Sequence, residues 1–308
     1  MVDSATISPA KAWLLATRPR TLTAAVVPVL LGLALVLGER GQTGAGDGAA
    51  GTGALDWLVA VLTLSCALAI QVATNLANDY YDFVRGADNE DRLGPTRAVQ
   101  AGLLTPDAVK RGFILCLGAA ALLGVYLCWL GGWPILAIGL VSMLLAWGYT
   151  AGPFPLAYVG LGDPFVLAFF GVVPVCGTYY LQTGTLGMEV VMASLPVGFL
   201  ATALLVVNNL RDRATDEVAG KRTMAVRLGE TVTRAEYIGL VAGAFVALGM
   251  IVPTQGLAAC LPLLAVPLAV AEVRGVLSRS GAALNESLAG TARLHAVFGA
   301  LLTVGVAW

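Results

Sequence analysis

The sequence predicts an all-α membrane protein, a single domain over residues 1–308 whose polytopic bundle has nine transmembrane helices. Hydrophobic residues make up 58% of the chain and charged residues only 12%, whereas soluble domains are typically about a quarter charged. Nine apolar runs each approach the roughly 20 residues that a helix needs to cross the hydrocarbon core. The basic residues are distributed around those runs as the positive-inside rule requires.

The nine apolar runs are predicted as helices because backbone groups inside lipid must be hydrogen bonded within their own segment. They cover residues 21–38, 55–77, 112–130, 133–150, 164–182, 190–210, 235–252, 257–273 and 291–308. Gly131 and Gly132 leave so short a break that the third and fourth spans are expected to form a tight helical hairpin. Residues 253–256 are expected to join the seventh and eighth spans in the same way.

The basic residues orient the predicted bundle. With the N-terminus in the cytosol, nine crossings place every Lys and Arg except Arg40 on the cytosolic side, which is 17 of the 18. Ser8 followed by Pro9 is typical of a helix start, so residues 1–20 are expected to form an interfacial segment with a short helix. Two cytosolic loops, residues 83–111 and 211–234, hold most of the charge, and we expect the active site there.

Composition and charge exclude several classes of function. The chain has 18 Lys and Arg residues against 19 Asp and Glu residues, a formal net charge of -1, which excludes a basic nucleic-acid-binding protein. The five cysteines lie in apolar stretches without paired metal-ligand spacing, so we interpret them as small apolar side chains. The single histidine, His295, has no evident partner and is interpreted as a packing or interfacial residue.

Two of the predicted helices end in a stripe of polar side chains. At about 100° per residue, five polar residues at the end of the second span share one helix face. They are Gln71, Asn75, Asn78, Asp79 and Asp82. At the end of the sixth span, steps of four residues align three polar side chains and leave two more beside them: Asn208, Asp212 and Asp216, flanked by Asn209 and Glu217.

The two stripes are candidate cation-binding surfaces. The simpler interpretation is that the helices run into water there, where acidic side chains are usually found. Against it, neighbouring like charges repel, and an Asp drawn into hydrocarbon costs roughly 2.5 to 3.5 kcal/mol. Clustered Asp and Asn oxygens suit Mg2+ or Ca2+, and Mg2+ typically shares its ligands with substrate phosphates. No Cys or His accompanies the stripes, which argues against zinc.

Basic residues occupy the same two loops and suggest a metal-bridged diphosphate as the ligand. Arginine binds phosphate through two donors and lysine supplies a point charge, whereas a cation pathway gains nothing from guanidinium groups beside its carboxylates. The alternative explanation is the positive-inside rule, which requires basic residues at this surface whatever the chemistry.

Residues 75–82 (NLANDYYD) and 208–216 (NNLRDRATD) resemble the paired aspartate-rich motifs of the UbiA superfamily of membrane prenyltransferases. Residues 13–22, 94–102, 149–163 and 220–229 add to the likeness, and the nine-span layout matches too. Within the superfamily, the chain is most similar to the menaquinone-pathway branch (MenA), the 1,4-dihydroxy-2-naphthoate polyprenyltransferases. The resemblance implies a UbiA-like fold in a bacterial cell (inner) membrane, with the active site facing the cytosol.

The activity implied by the resemblance is transfer of a polyprenyl chain from polyprenyl diphosphate to 1,4-dihydroxy-2-naphthoate, giving demethylmenaquinone, diphosphate and CO2. The implied cofactor is Mg2+, with ligands Asn75, Asp79, Asp82, Asn208, Asp212 and Asp216. The four aspartates of that set are the implied catalytic residues. Diphosphate donors are expected to be Arg97, Lys221, Arg227, Asn78 and Asn209. Five further residues are candidates for orienting the acceptor or facing the developing cation: Tyr80, Tyr81, Tyr149, Tyr158 and Asp163.

Two positions depart from the wider superfamily. Ubiquinone-type members carry a third aspartate four residues after the second, where this chain has Gly86 and its next acid is Asp88. After the fourth span, residues 152–155 (GPFP) replace the Lys-Arg pair of the 4-hydroxybenzoate enzymes. The second departure favours a different aromatic acceptor.

Two alternatives stay open. A UbiA-type relative that prenylates homogentisate, 4-hydroxybenzoate or haem would carry the same stripes. A cation-coupled membrane transporter would use similar carboxylates, but its site is expected near the bilayer midplane on broken helices, whereas both stripes lie at one surface.

Overall fold

The structure, a computed structural model, describes residues 7–43, 55–86, 93–153 and 155–308. In these segments the chain is helical and has no β-strand, as predicted. The α-helices are α1 (Pro9–Thr17), α2 (Pro19–Thr43), α3 (Trp57–Val84), α4 (Pro106–Gly148), α5 (Gly162–Leu167), α6 (Val173–Thr183), α7 (Met188–Val218), α8 (Met224–Val246), α9 (Leu248–Gln255), α10 (Val266–Ser278) and α11 (Leu284–Ala307). A π-helical turn, Ala168–Val172, joins α5 to α6, and 3-10 helices cover Leu156–Tyr158, Leu257–Ala265 and Gly281–Ala283.

Eight helical stretches of the described chain are long and apolar enough to cross a membrane. They are Pro19–Glu39, Trp57–Val84, Pro106–Gly148, Gly162–Thr183, Met188–Val218, Met224–Gln255, Leu257–Ser278 and Gly281–Ala307. Together they overlap every predicted apolar run. The third stretch has 43 residues. If straight, it would measure about 64 Å, about twice the thickness of the hydrocarbon core.

The 43-residue α4 is broken at Gly132, where φ is 67° and ψ is -156°. Glycine adopts this positive φ without the steric cost that a Cβ would bring. Helix α4 and the residues just after it contact α3 at three positions: Phe113 clusters with Leu76, Ile135 clusters with Val59, and Thr150 hydrogen-bonds to Asn78. It therefore runs along α3 and returns, and the hairpin predicted between the third and fourth spans is present. The total of nine crossings and the cytosolic N-terminus stay predictions.

The second predicted loop, residues 211–234, is corrected by the structure because most of it is helical. Helix α7 continues to Val218 and α8 begins at Met224, so residues 219–223 are the only ones between them. No glycine or proline interrupts the end of α7 before Gly220, whose φ is +72°. The side chain of Thr223 then caps α8 by accepting a hydrogen bond from the backbone N–H of Val226 at 3.4 Å.

Helix α7 lies at the centre of the bundle. In its most apolar 18-residue window 67% of the residues are buried, against 17% for α4. Helix α7 packs against α8, α11 and the π-helical turn. At that last contact the two backbones lie so close that a Cβ on Gly171 would be 2.5 Å from the Cα of Gly198. Small residues of this kind permit close helix packing in membranes.

The outward surface is apolar. Leu122, Trp129 and Trp133 are all more than three-quarters exposed, and they lie on α4. An exposed apolar surface this large is costly in water and expected in lipid. Trp57 and Trp308 are also exposed, as a belt of interfacial tryptophans requires.

The N-terminal helix α1 begins where the sequence predicts. Ser8 is its N-cap and accepts a hydrogen bond from the backbone N–H of Lys11 at 3.4 Å, and Pro9 fills the first helical position. Arg18 ends α1 with φ at 49°, the only positive φ outside glycine in the described residues. The chain turns there and continues directly into α2.

Candidate active site

One elongated cavity of about 800 Å3 runs through the bundle, within the size range of ligand sites. Helix α3 lines it from Thr63 to Asp82, a length of about 28 Å at 1.5 Å per residue. Away from the polar stripes its wall is mostly apolar, with side chains that include Leu127, Ile135 and Leu181. The cavity is therefore long, apolar for most of its length and polar at one end.

On α3, four of the five stripe residues line the cavity: Gln71, Asn75, Asn78 and Asp82. Asp82 is 3% exposed, and its carboxylate accepts hydrogen bonds from Arg97 Nη2 at 3.1 Å and from the Tyr158 hydroxyl at 3.3 Å. The Asn78 side-chain oxygen accepts a hydrogen bond from the Thr150 hydroxyl at 3.1 Å.

The remaining member of the α3 stripe, Asp79, points elsewhere. It is fully buried, and the described cavity wall does not include it. Its two carboxylate oxygens accept hydrogen bonds from the backbone N–H groups of Ala98 at 3.0 Å and Val99 at 3.3 Å. Asn75, one turn earlier, donates its amide N–H to the Thr17 carbonyl at 2.9 Å and so fastens the junction of α1 and α2.

The α7 stripe meets the same cavity through Asn208 and Asn209. Asp212 and Asp216 follow on that helix face, one and two turns further along; both are at most 8% exposed, and the described cavity wall includes neither of them. Arg211 Nε and Nη2 donate to the two carboxylate oxygens of Asp212 at 2.8 and 2.6 Å. Lys221 Nζ lies 3.8 Å from Asp216 Oδ1 and also lines the cavity.

Two residues of this network were given no site role from the sequence, although Arg211 belongs to the basic residues of the second loop that suggest a diphosphate ligand. Arg211 is 2% exposed, and besides Asp212 it donates to Asn208 Oδ1 at 2.9 Å and to Asn285 Oδ1 at 3.0 Å. The place of Arg211 inside the 208–216 motif was a signal that could have marked it. Asn285 lies near the start of α11, and nothing in its sequence neighbourhood indicates the site.

Tyr158 connects the two acidic helix ends. Its hydroxyl donates to Asp82 of α3, while Lys221, the partner of Asp216 on α7, lies 5.6 Å from the centre of its ring. Arg85 lies over the same ring at 5.1 Å. Both cations are within the distance of cation–π contacts. The two stripes are therefore brought together at one site.

The tyrosines of the site stay protonated. Burial raises the pKa of the Tyr158 hydroxyl above its ordinary value, and the Asp82 carboxylate raises it further. Burial likewise raises the pKa of Tyr149, which lines the cavity, and the Asp163, Asp82 and Asp216 carboxylates add to the effect. Both phenols are hydrogen-bond donors at neutral pH. Asp163 itself is buried beside this wall, and its Oδ1 has no hydrogen-bond partner among the described residues.

Three predicted site residues lie away from both the cavity and the network around it. Tyr80 and Tyr81 pack against a separate cluster on the far side of α3, where their rings contact each other edge to face at 4.9 Å. Arg227 is exposed and donates from Nε to the Arg222 carbonyl at 3.1 Å. Gly229, with φ at 79°, breaks the helix just beyond it.

His295 is fully buried on α11, which makes it a packing residue rather than an interfacial one. Asp88, the next acid after the α3 stripe, lies outside the described residues.

The donor set suits a hard divalent cation that binds together with an anionic ligand. No group of three or more His, Cys, Asp or Glu side chains in the described residues forms a preassembled metal cluster. Instead, the carboxylates of Asp82, Asp212 and Asp216 each face a basic side chain. Mg2+ typically binds through one or two carboxylates plus waters and substrate phosphates, so buried Asp and Asn oxygens from two helices fit it.

The family model of the UbiA prenyltransferase family matches residues 42–298. The chain belongs to the UbiA prenyltransferase family. The prenyltransferase class predicted from the two aspartate-rich motifs is thereby confirmed.

Curated relatives and solved structures agree with this assignment. The chain is 39% identical to the 1,4-dihydroxy-2-naphthoate octaprenyltransferase of Escherichia coli (strain K12), over 88% of this chain and 86% of that protein. It is 33% identical to the enzyme of that name from Bacillus subtilis (strain 168), over 94% of this chain and 90% of that one.

Among solved structures, the chain resembles a UbiA homolog from Aeropyrum pernix K1 with a TM-score of 0.66, at 15% identity and over 92% of this chain and 97% of that one. It also resembles a UbiA homolog from Archaeoglobus fulgidus bound to DMAPP and Mg2+, with a TM-score of 0.58, at 16% identity and over 95% and 99% of the two chains. The UbiA-like fold is confirmed by these similarities.

Proposed function

We propose that this chain transfers a polyprenyl group from polyprenyl diphosphate to 1,4-dihydroxy-2-naphthoate in menaquinone biosynthesis, with Mg2+ as its cofactor. The observation that carries the proposal is that acid–base pairs from α3 and α7 meet at the polar end of one long apolar cavity. The names of the bacterial relatives, 33% to 40% identical over most of the chain, support the naphthoate acceptor.

Side-chain oxygens from both helices would hold Mg2+: Asn78 and Asp82 of α3, and Asn208, Asp212 and Asp216 of α7. When bound, the metal supplies positive charge that offsets the charge developing on the leaving diphosphate.

Arg97 and Lys221 are the proposed diphosphate donors, with Asn209 beside them on the cavity wall. In the free protein both cations lie against carboxylates, Asp82 and Asp216. A bound diphosphate offers each cation a second anion, and charge-assisted hydrogen bonds to phosphate are roughly twice as strong as neutral ones. These donors stabilise charge that grows as the leaving group departs, which is usually the largest contribution to catalysis.

The reaction itself is a substitution at carbon. The bond between the allylic carbon and the diphosphate oxygen breaks, its electron pair stays on oxygen, and positive charge develops on carbon. The electron-rich naphthoate carbon that bears the carboxylate attacks, and the bond to CO2 then breaks and returns its electrons to the ring. The product is the quinol form of demethylmenaquinone. The aromatic rings of Tyr149 and Tyr158 lie at this end of the bundle and are candidates to face the cation.

The apolar length of the cavity suits the prenyl tail. Its mostly hydrocarbon wall would bury the isoprene units and keep water from the allylic cation, which water would otherwise capture. We place the polar end at the cytosolic face of a bacterial inner membrane, where a water-soluble acceptor arrives. A transporter is disfavoured because the acidic groups lie at the ends of α3 and α7 rather than on broken helices at the midplane.

Product analysis tests the proposed function. Purified protein would be incubated with a polyprenyl diphosphate, Mg2+ and 1,4-dihydroxy-2-naphthoate, and extracts analysed by mass spectrometry. We expect the prenylated naphthoquinol without the carboxyl group of the acceptor, and no product after chelation of the metal. Homogentisate and 4-hydroxybenzoate would be offered in parallel. Product from either of these, with none from the naphthoate, would reject the acceptor assignment.

A further inference from the structure

The two acids of the α3 stripe, Asp79 and Asp82, have different surroundings. Asp82 faces the cavity, whereas Asp79, three residues earlier, is fully buried and faces the segment that follows α3. At 100° per residue, Asp79 lies about 60° around the helix from Asp82, at the edge of the stripe. We infer that Asp79 is a positioning residue that holds Arg97 for diphosphate binding, and that it does not bind the metal. The inference rests on the proposed function.

The segment held by Asp79 is a single helical turn that begins at Arg97. The Arg97 carbonyl accepts a hydrogen bond from Ala101 N at 3.0 Å, and the Val99 carbonyl accepts one from Gly102 N at 2.9 Å. The first N–H groups of such a turn have no partner within the turn. The N–H groups of Ala98 and Val99 donate to the two Asp79 oxygens instead.

Asp79 therefore acts as an N-cap supplied by another helix. A carboxylate is a strong acceptor for such N–H groups, and its negative charge also suits the N-terminal end of a helical turn. Both of its oxygens accept hydrogen bonds from backbone N–H groups. Asp79 would lose these hydrogen bonds if it bound a metal ion. The residue fixed immediately before these two amides is Arg97, which lines the cavity and contacts Asp82 at 3.1 Å. A carboxylate on α3 thus fixes the place of a cation on the following loop.

The test compares two matched substitutions one helical turn apart, Asp79→Asn and Asp82→Asn. Each removes one negative charge and keeps the side-chain size. In the first variant the introduced amide oxygen still accepts a hydrogen bond from one of the two N–H groups, so only part of the hydrogen bonding at this position is lost. We expect Asp79→Asn to raise the KM for polyprenyl diphosphate about tenfold, which is the cost of a weakened charge-assisted hydrogen bond. Calorimetric titration of Mg2+ into protein saturated with inorganic pyrophosphate should give an affinity within about twofold of wild type.

The Asp82→Asn variant is expected to behave in the opposite way, with Mg2+ affinity in the same titration reduced about tenfold or more. A metal-free measurement separates the two roles further. Amide hydrogen exchange at Ala98 and Val99 should speed up in Asp79→Asn and stay unchanged in Asp82→Asn. Combining Asp79→Asn with Arg97→Gln should raise KM less than about twofold beyond Arg97→Gln alone, because residues that act through one another are not additive.

Two outcomes would overturn the inference. One is a loss of Mg2+ affinity in Asp79→Asn as large as that in Asp82→Asn. The other is a double variant, Asp79→Asn with Arg97→Gln, whose increase in KM equals the product of the increases in the two single variants. The wild-type titration distinguishes these from failure of the proposed function. If the wild-type protein bound no Mg2+ with pyrophosphate, the proposed function would fail and the inference with it.

Discussion

The contact between Arg97 and Asp82 leads to a prediction about both metal-dependent stability and diphosphate binding. In the free protein the guanidinium lies 3.1 Å from the carboxylate, and both side chains are less than one-tenth exposed. Arg97→Gln removes the cation and leaves Asp82 with the neutral hydroxyl of Tyr158 as its remaining hydrogen-bond donor among the contacts described above. We expect this variant to need Mg2+ more for its stability and to bind diphosphate less tightly.

The size of the effect follows from the geometry. At 3.1 Å and an effective dielectric constant of about 20, the attraction between the two charges is about 5 kcal/mol. Desolvation offsets part of it, and breaking a buried pair from one side typically costs about 3 to 5 kcal/mol of stability. At about 2 °C per kcal/mol for a chain of this size, the Tm without metal should fall by about 6 to 10 °C. Loss of a charge-assisted bond to phosphate should raise the KM for polyprenyl diphosphate at least about tenfold.

Both quantities can be measured on purified protein. Thermal unfolding would be followed with and without Mg2+, and the KM would be determined by product mass spectrometry. We expect Mg2+ to raise the Tm of Arg97→Gln by more than it raises that of wild type, because the cation replaces the missing charge beside Asp82. Arg111→Gln is the control, since Arg111 is exposed and its Nε donates to the carbonyl of Asp107 on its own helix. An equal Mg2+ effect on wild type and Arg97→Gln, together with an unchanged KM, would refute the reasoning.

Two further predictions concern the aromatic bridge and the central helix contact. Tyr158→Phe removes the hydroxyl that donates to Asp82 and should lower kcat/KM about tenfold, the cost of one hydrogen bond to a charged group. Because the pKa of Tyr158 is raised, its hydroxyl stays protonated through the assay range. The pH–rate profile of Tyr158→Phe below pH about 9 should therefore have the same shape as that of wild type. A shifted profile would show that the phenol titrates in catalysis. Gly171→Ala places a Cβ 2.5 Å from the Cα of Gly198 and should destabilise the bundle by about 1 to 3 kcal/mol, seen as a lower Tm. Gly177→Ala, whose Cβ would meet nothing within 4 Å, is the matched control, and an equal loss in both variants would contradict the packing argument.

Much of the bundle could be predicted from the sequence because lipid imposes strong rules on it. Apolar runs of span length must be helical, and Gly132 marks the turn in α4 because a positive φ favours glycine. The second loop was predicted too long because a helix that leaves the membrane becomes polar without ending. Helix α7 keeps its hydrogen bonds as far as Val218, and hydropathy reports the membrane boundary rather than the end of the helix.

The site was predictable as a set of residues and less so in their roles. Helical spacing placed Asp79 and Asp82 on one face, which is correct to within about 60°. Only tertiary packing decides that the loop after α3 covers the edge with Asp79 while Asp82 meets the cavity. The same limit applies to Arg227, which belongs to a motif yet is exposed and donates to the Arg222 carbonyl.

The central claim is that aspartates from both α3 and α7 act on a shared metal-bound diphosphate. The most direct measurement is calorimetric binding of Mg2+ in the presence of inorganic pyrophosphate to wild type, Asp82→Asn and Asp212→Asn. The account predicts that each substitution alone weakens binding by about tenfold or more, since either helix by itself supplies an incomplete set of ligands. Wild-type affinity in Asp212→Asn, with a loss confined to Asp82→Asn, would contradict it.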